Sequence, residues 1–298
     1  MMRPKVRAYL QLHSSVILFG FTGVLGAVIP LSETVLVWYR VALTTLGYVL
    51  YLRLRGRSMR LPAQAHGMMA LVGAVLIVHW LGFYGAVKLA GVSLTLVCMA
   101  TTTLFTALLG PLFSRQRLSV LEVLLGVLIL VGMYLIYRAS VGHTLGILIA
   151  LGSALLAALY GLLNKPLVAR YPAELLNLWQ IGYGWAFLTV LLPLYAWWRP
   201  AEPLAPADAY TWFLLLVMAW VTTNLAYELT LRSLVQLTPF AYVLAINLEP
   251  IYAIALDVWV LGKDTALQPG FLLGASMVLG SVFLYPLLSH LFRPNPAH

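Results

Sequence analysis

The sequence predicts an all-α integral membrane protein. Its ten transmembrane helices are expected as two inverted-topology five-helix repeats around a central cavity. Three observations predict this: a composition too apolar for water, unalternating apolar runs, and basic residues clustered, Arg40 aside, in the connections. Of 298 residues, 62% are hydrophobic and 9% are charged, against about 25% charged in soluble chains. The runs Leu121–Ile136 and Leu145–Leu163 lack the alternation of membrane strands. A backbone in hydrocarbon must satisfy its own polar groups, so such runs read as helices of roughly 20 residues.

The spans are expected at 10–29, 35–53, 66–87, 92–113, 119–138, 144–164, 175–197, 210–231, 237–261 and 269–291. The first follows Arg3, Lys5 and Arg7, and continuation into further spans favours a retained helix over a cleaved signal. It carries the small-residue ridge Gly20, Gly23, Ala27, and the third span carries Gly82, Gly85, Ala86; such ridges let helices cross closely. The second span holds Trp38, Tyr39 and Arg40, and the third His79, Trp80, Phe83 and Tyr84. The fourth contains Cys98 and Thr101, Thr102 and Thr103. A lone cysteine forms no disulfide within the chain and reads as a packing residue. The fifth and tenth spans share a glycine pattern, the seventh holds Trp179 and Gln180, and the eighth a polar stripe of Thr222, Thr223, Asn224 and Glu228. The ninth holds Asn247, Glu249, Pro250 and Tyr252, with Asp257 expected at the outer interface. Connections are short and contain Pro, Gly, Arg or Ser.

The charges orient these spans. With the N-terminus inside, the inner segments hold Arg3, Lys5, Arg7, Arg53, Arg55, Arg57, Arg60, Arg115, Arg117, Lys165, Arg170, Arg232 and Arg293. The outer segments hold only Lys88, Arg138, Arg199 and Lys263. This places both termini in the cytoplasm, in a multi-pass protein of the inner membrane. The net charge of +9 is therefore a topology signal, and no basic soluble domain exists to bind nucleic acid.

A shift of 148 residues lays Gly126 on Gly274, Gly132 on Gly280 and Tyr137 on Tyr285. The expected repeats are residues 1–140 and 141–298. Five helices per repeat invert the second copy, and the charges agree. Arg53, Arg55, Arg57 and Arg60 follow the second span, whereas Arg199, Glu202 and Asp208 follow the seventh. Inverted repeats mark secondary transporters with midplane substrate sites.

The sequence also resembles the EamA-type transporters of the drug/metabolite transporter superfamily over nearly its whole length. The resemblance rests on Leu248-Glu249-Pro250 with the Gly274 to Gly280 helix, on Trp38-Tyr39-Arg40, and on Leu104 to Gly110 leading to Arg117-Leu118-Ser119. It implies a ten-helix carrier with alternating access, many relatives being exporters of amino acids, other metabolites or drugs. The family's Gly-Glu after spans four and nine is replaced by Arg115-Gln116 and Lys263-Asp264.

Ionisable groups inside a span point to function. Arg40 is placed either in the cavity, pairing a substrate carboxylate, or snorkelling outward. Glu249, beside the helix-opening Pro250, reads as a cation, amine or proton site, or as an interhelical lock. His79 reads as a proton carrier or a helix–helix hydrogen bond. The expected substrate-binding set is Trp38, Arg40, His79, Tyr84, Gln180, Asn224, Asn247, Glu249 and Tyr252, with Glu249, Pro250 and His79 in coupling or gating. Glu228 is expected to pair with Arg232, and Lys165 to anchor the sixth span at the inner interface. The six histidines lack paired ligand spacing, so no metal is expected, and without a P-loop or catalytic grouping no cofactor or enzymatic role. The partners expected are a small-molecule substrate and membrane lipid, a homodimer being compatible. The rival readings are a lipid flippase or scramblase and a choline-like organic-cation importer.

Overall fold

The computed structural model describes residues 4–113, 120–139, 142–234, 248–262 and 268–288, and every described element is helical. In chain order the helices are α1 (Pro4–Val28), α2 (Glu33–Leu54), α3 (His66–Ala90), α4 (Val92–Met99), α5 (Thr102–Phe113), α6 (Val120–Ala139), α7 (Thr144–Val168), α8 (Ala173–Trp198), α9 (Ala209–Leu216), α10 (Ala226–Leu234), α11 (Glu249–Leu261) and α12 (Pro269–Leu288). A π-helical stretch, Val217–Leu225, joins α9 to α10 without a break. Seven segments are long and apolar enough to cross a membrane among the described residues, and Val123–Ala139 and Pro269–Ser281 are shorter apolar helices. The first part of the expected ninth span, including Asn247, lies outside the described residues.

Two departures from regular helix stand out. The expected fourth span is divided at Ala100 and Thr101, where the Thr101 hydroxyl turns back to the Cys98 carbonyl at 2.6 Å. A threonine hydroxyl competing for helix carbonyls explains why the run of three threonines marks the division. Thr101 is also the residue that the 148-residue shift lays on Glu249, where α11 begins with Pro250 in its first turn. Proline suits a helix start because its missing N–H would lack an intrahelical partner there. Matched positions of the two halves thus both place a helix N-terminus in the interior.

The helices pack across the halves in a reciprocal way. The third helix, α3, lies against α7 and α8, while the α9–α10 helix lies against α1 and α2. Likewise α4 and α5 pack on α7, and α11 packs on α1. On the two-fold line α2 meets α8, α4 meets α11 and α6 meets α12. The expected ridges serve these crossings. Gly20 lies against the Ala253 backbone of α11 and Gly82 against Ser153 of α7. At the α6–α12 crossing the backbones nearly touch. A Cβ on Gly132 would stand 2.8 Å from the Gly274 carbonyl oxygen, and one on Gly274 2.5 Å from that of Gly132.

Outward-facing positions stay apolar, as lipid requires. Leu124, Leu130, Val190 and Trp259 are among many exposed large apolar residues. A water-soluble fold would leave no such continuous surface.

Because neither backbone can yield to a new side chain, Gly132→Leu and Gly274→Leu are expected to destabilise the protein by about 1–3 kcal/mol. Thermal unfolding of purified protein checks this, with Gly152→Ala as the neutral control. A Cβ on Gly152 meets nothing within 4 Å among the described residues.

Candidate functional site

A cavity of about 600 Å³ occupies the centre of the bundle. Its charged and titratable wall residues are Arg40 of α2, His79 of α3 and Glu249 of α11. Thr102 and Thr103 at the start of α5, Tyr160 and Asn164 of α7, Asn177 of α8, and Tyr227 and Thr230 of α10 supply further polar groups. Aromatic and apolar walls come from Phe19, Trp80, Phe83 and Leu96. The wall continues through Leu176 and Ala173 to the exposed Val168, so the cavity reaches the end of the bundle where α7 connects to α8.

Arg40 is 5% exposed and points inward. The snorkelling alternative therefore does not hold. Its Nε and one terminal nitrogen donate to the Thr223 hydroxyl oxygen at 3.3 and 3.1 Å, and the other terminal nitrogen donates to the Tyr84 hydroxyl. The guanidinium carbon lies 4.0 Å from the Trp80 ring centre, a cation–π contact worth about 2 kcal/mol where water is excluded. Thr223 is aimed by its own hydrogen bond to the Met218 carbonyl at 2.9 Å, made across the π-helical stretch. Gly26 leaves room for the Tyr84 ring, since a Cβ there would come within 2.4 Å of it.

These partners are all neutral. A guanidinium has five N–H donors, and three are used by Thr223 and Tyr84. Each terminal nitrogen keeps one N–H with no partner among the described residues. The ion pairs among the described residues, Arg57–Glu174 and Arg199–Glu202, lie at helix ends and include neither Arg40 nor Glu249.

Glu249 stands in the first turn of α11, a favourable place for a carboxylate against the helix dipole. It is partly accessible and lines the same cavity as Arg40. Both helix starts, at Thr102 and at Glu249, face this cavity.

His79 is oriented by one residue of α7. Its Nδ1 lies 3.0 Å from the Ser153 carbonyl oxygen, while the Ser153 hydroxyl is 2.8 Å both from Nδ1 and from the His79 carbonyl. A carbonyl only accepts, so neutral His79 carries its proton on Nδ1 and leaves Nε2 as an acceptor.

Several expected site residues lie elsewhere. Tyr84 is fully buried behind Arg40 and holds it without forming the wall. Gln180 is also fully buried, accepting from the Tyr160 hydroxyl at 3.2 Å and donating to Asn164 at 2.7 Å. It fixes two wall residues from behind. Asn224 donates to the Thr44 carbonyl at 3.3 Å and fits over Gly47, clamping the π-helical stretch to α2. Tyr252 meets His13 of α1 at 3.0 Å, and Trp38 donates to Thr189 at 2.9 Å beside Trp185. None of these five lines the cavity. Amides and aromatics can satisfy themselves against neighbouring helices, so polarity alone does not place them in a cavity. Asn247 lies outside the described residues. Asp257, expected at the interface, is buried. Glu228 accepts from the Tyr51 hydroxyl at 3.4 Å, and Lys165 is exposed at the α7 end. The Arg232 side chain lies outside the described residues. The wall residues Tyr160 and Asn164 were absent from the expected set, although their four-residue spacing on one helical face is readable in sequence.

Comparison with known proteins gives this site its context. The EamA-like transporter family model matches residues 6–138 and again 144–289. The chain belongs to the EamA-like transporter family. It is a multi-pass membrane protein with two EamA repeats, of a family of transporters rather than enzymes. No curated protein matches the chain. Among solved structures, one titled only "Crystal structure of protein" is 16% identical, with a TM-score of 0.64, covering 95% of this chain and 98% of that one. At that identity the likeness concerns the fold.

Thr223→Val removes the acceptor shared by two Arg40 donors while keeping the side-chain shape. It is expected to cost about 1–3 kcal/mol of stability, because buried donors are left unpaired. Thermal unfolding measures this, and Thr222→Val, whose hydroxyl bonds only the Met218 carbonyl at 2.8 Å, is expected to cost less.

Proposed function

We propose that this EamA-family protein is a secondary active transporter for a small polar organic solute of the amino acid type. One observation carries the reading: Arg40 and Glu249 face a common cavity, each without an ion-pair partner among the described residues. A zwitterion bearing a carboxylate and an ammonium complements that pair. The carboxylate meets the two free N–H groups of Arg40 in bidentate fashion, and the ammonium meets Glu249. The α5 N-terminus, whose Thr102 and Thr103 stand in the cavity wall, adds positive potential to the site. A cavity of about 600 Å³ falls within the range for metabolite-sized ligands.

In this reading the chain has ten membrane helices as two inverted repeats, divided near residue 140. It lies in the inner membrane with both termini in the cytoplasm, and the charge bias of its connections supports that orientation. The cavity mouth at the α7–α8 connection then faces the cytoplasm. Alternating access closes it and opens the opposite end. An inward-facing resting cavity that loads from the cytoplasm suits export or exchange. Glu249 and His79 are the groups able to carry a proton against the solute, with Pro250 fixing where the Glu249 helix begins.

The flippase and choline-like alternatives have less support. A lipid headgroup track would have to leave the bundle sideways, whereas the polar wall residues run toward the bundle end. A quaternary cation would be repelled by Arg40, which stands in the same wall as Glu249.

Counterflow in proteoliposomes tests the proposal. Saturable exchange of amino acids is expected, with at least about a hundredfold loss in Arg40→Ala and Glu249→Gln, each of which removes a charge-assisted contact of roughly 3 kcal/mol. Arg40→Lys should not restore it, because an ammonium lacks the planar fork. Substrates with esterified carboxylates should fail to compete. Equal competition by the esters would overturn the assignment of Arg40, and lipid scrambling without solute flux would favour the flippase.

A further inference from the structure

The end of the bundle away from the cavity mouth contains a polar contact that the transport site does not use. Asp257 of α11 is 2% exposed. Its Oδ2 accepts the backbone N–H of Ser93 at 3.0 Å and also the Ser93 hydroxyl. Its Oδ1 is buried with no hydrogen-bond partner among the described residues. Ser93 is the second residue of α4, whose start has no side-chain cap of its own. First-turn N–H groups have no partner within their helix and carry the positive end of its dipole. A carboxylate from α11 therefore caps α4 from across the two-fold line and ties together a helix from each half.

The matched sequence positions cannot repeat this contact. Under the 148-residue shift Ser93 falls on Ala241 and Asp257 on Leu109, residues with neither hydroxyl nor carboxylate. The α6–α12 crossing shows the same inequality. Gly132 and Gly274 meet backbone to backbone, whereas their shifted counterparts do not: Gly126 faces Leu104, and a Cβ on Gly280 meets nothing within 4 Å among the described residues. In an inverted repeat the two faces exchange roles during transport, so a contact present at only one of them makes the two states unequal.

We infer that the Asp257–Ser93 contact is a latch that holds the end opposite the mouth closed and biases the resting protein toward the state seen here. The inference rests on the alternating-access reading above and adds to it a named source of the bias. Breaking the latch removes a charge-assisted contact from the closed end and leaves the mouth end untouched.

Cysteine labelling tests this independently of transport. Cys98 is the one cysteine in the sequence, so Cys98→Ala with Ala100→Cys places a single thiol in the cavity wall. An impermeant maleimide is applied to either face of uniformly oriented vesicles. The parent is expected to label from the mouth face. Asp257→Ala should raise labelling from the opposite face by about tenfold or more, a conservative figure for a hydrogen bond to a charged group. Ser93→Ala, which keeps the backbone N–H, should give a smaller rise in the same direction and serves if Asp257→Ala fails to fold. Unchanged labelling from the opposite face in every folded variant overturns the latch. Counterflow by the parent is measured in the same vesicles. Absence of flux would sink the transport reading, while the labelling result would still decide whether Asp257 holds that end closed.

Discussion

The interior of this protein is organised around a guanidinium held by neutral partners. Removing Arg40 from water costs several kcal/mol. Two hydroxyl groups and the Trp80 ring offset much of that cost. None of them neutralises the charge. Had a carboxylate of the chain filled the role, the site would be electrically closed and the cavity would have no preference for an anion. Partial satisfaction keeps Arg40 fixed in place while leaving its charge for a ligand.

Much of the surrounding architecture can be read as support for that arrangement. Tyr84 reaches Arg40 because Gly26 leaves a space for its ring. Thr223 reaches it from a stretch of π-helix, where the widened turn lets its hydroxyl bond the carbonyl five residues earlier and turn its lone pairs toward the guanidinium. Single π turns inside α-helices recur at functional sites. Asn224, the next residue, ties the same stretch to α2 through the Thr44 carbonyl. The polar stripe of the eighth span is thus a bracket for the second span. On the opposite wall Gln180 holds Tyr160 and Asn164, and Ser153 holds His79.

The helical membrane fold was legible in the sequence because lipid imposes a constraint that local composition expresses directly. The charge bias reported on the repeat for a similar reason, because connections face water. Of the matched glycines, Gly132 and Gly274 sit at a crossing that admits no side chain, while Gly126 and Gly280 do not meet there. Arg40, His79 and Glu249 could be picked out as a group because an ionisable residue in hydrocarbon carries a cost that calls for a reason. Gln180, Asn224, Tyr252 and Trp38 could not be sorted the same way. An amide or a phenol finds a partner on a neighbouring helix at modest cost, and its sequence position does not say which way it turns. Asp257 was misplaced by depth alone. Near the end of an apolar run, a carboxylate facing water and one capping a neighbouring helix look alike, and only the position of α4 separates them.

That last case bears on how an inverted repeat acquires direction. Two identical halves would give two faces of equal energy and no resting preference. Here the repeats agree where helices must start, as at Thr101 and Glu249. They differ in the side chains that close each end. Ser93 and Asp257 have Ala241 and Leu109 as their counterparts, so this carboxylate–hydroxyl pairing is not repeated at the matched positions. The shared pattern supports a fold with two faces, and under the latch proposal the differences between the halves give those faces unequal energies. The cavity wall shows the same division: Arg40 comes from the first half and Glu249, which the shift lays on Thr101, from the second, so each half contributes one charged residue. In the zwitterion reading, that pair lets the site distinguish the two ends of a solute although the scaffold around it repeats.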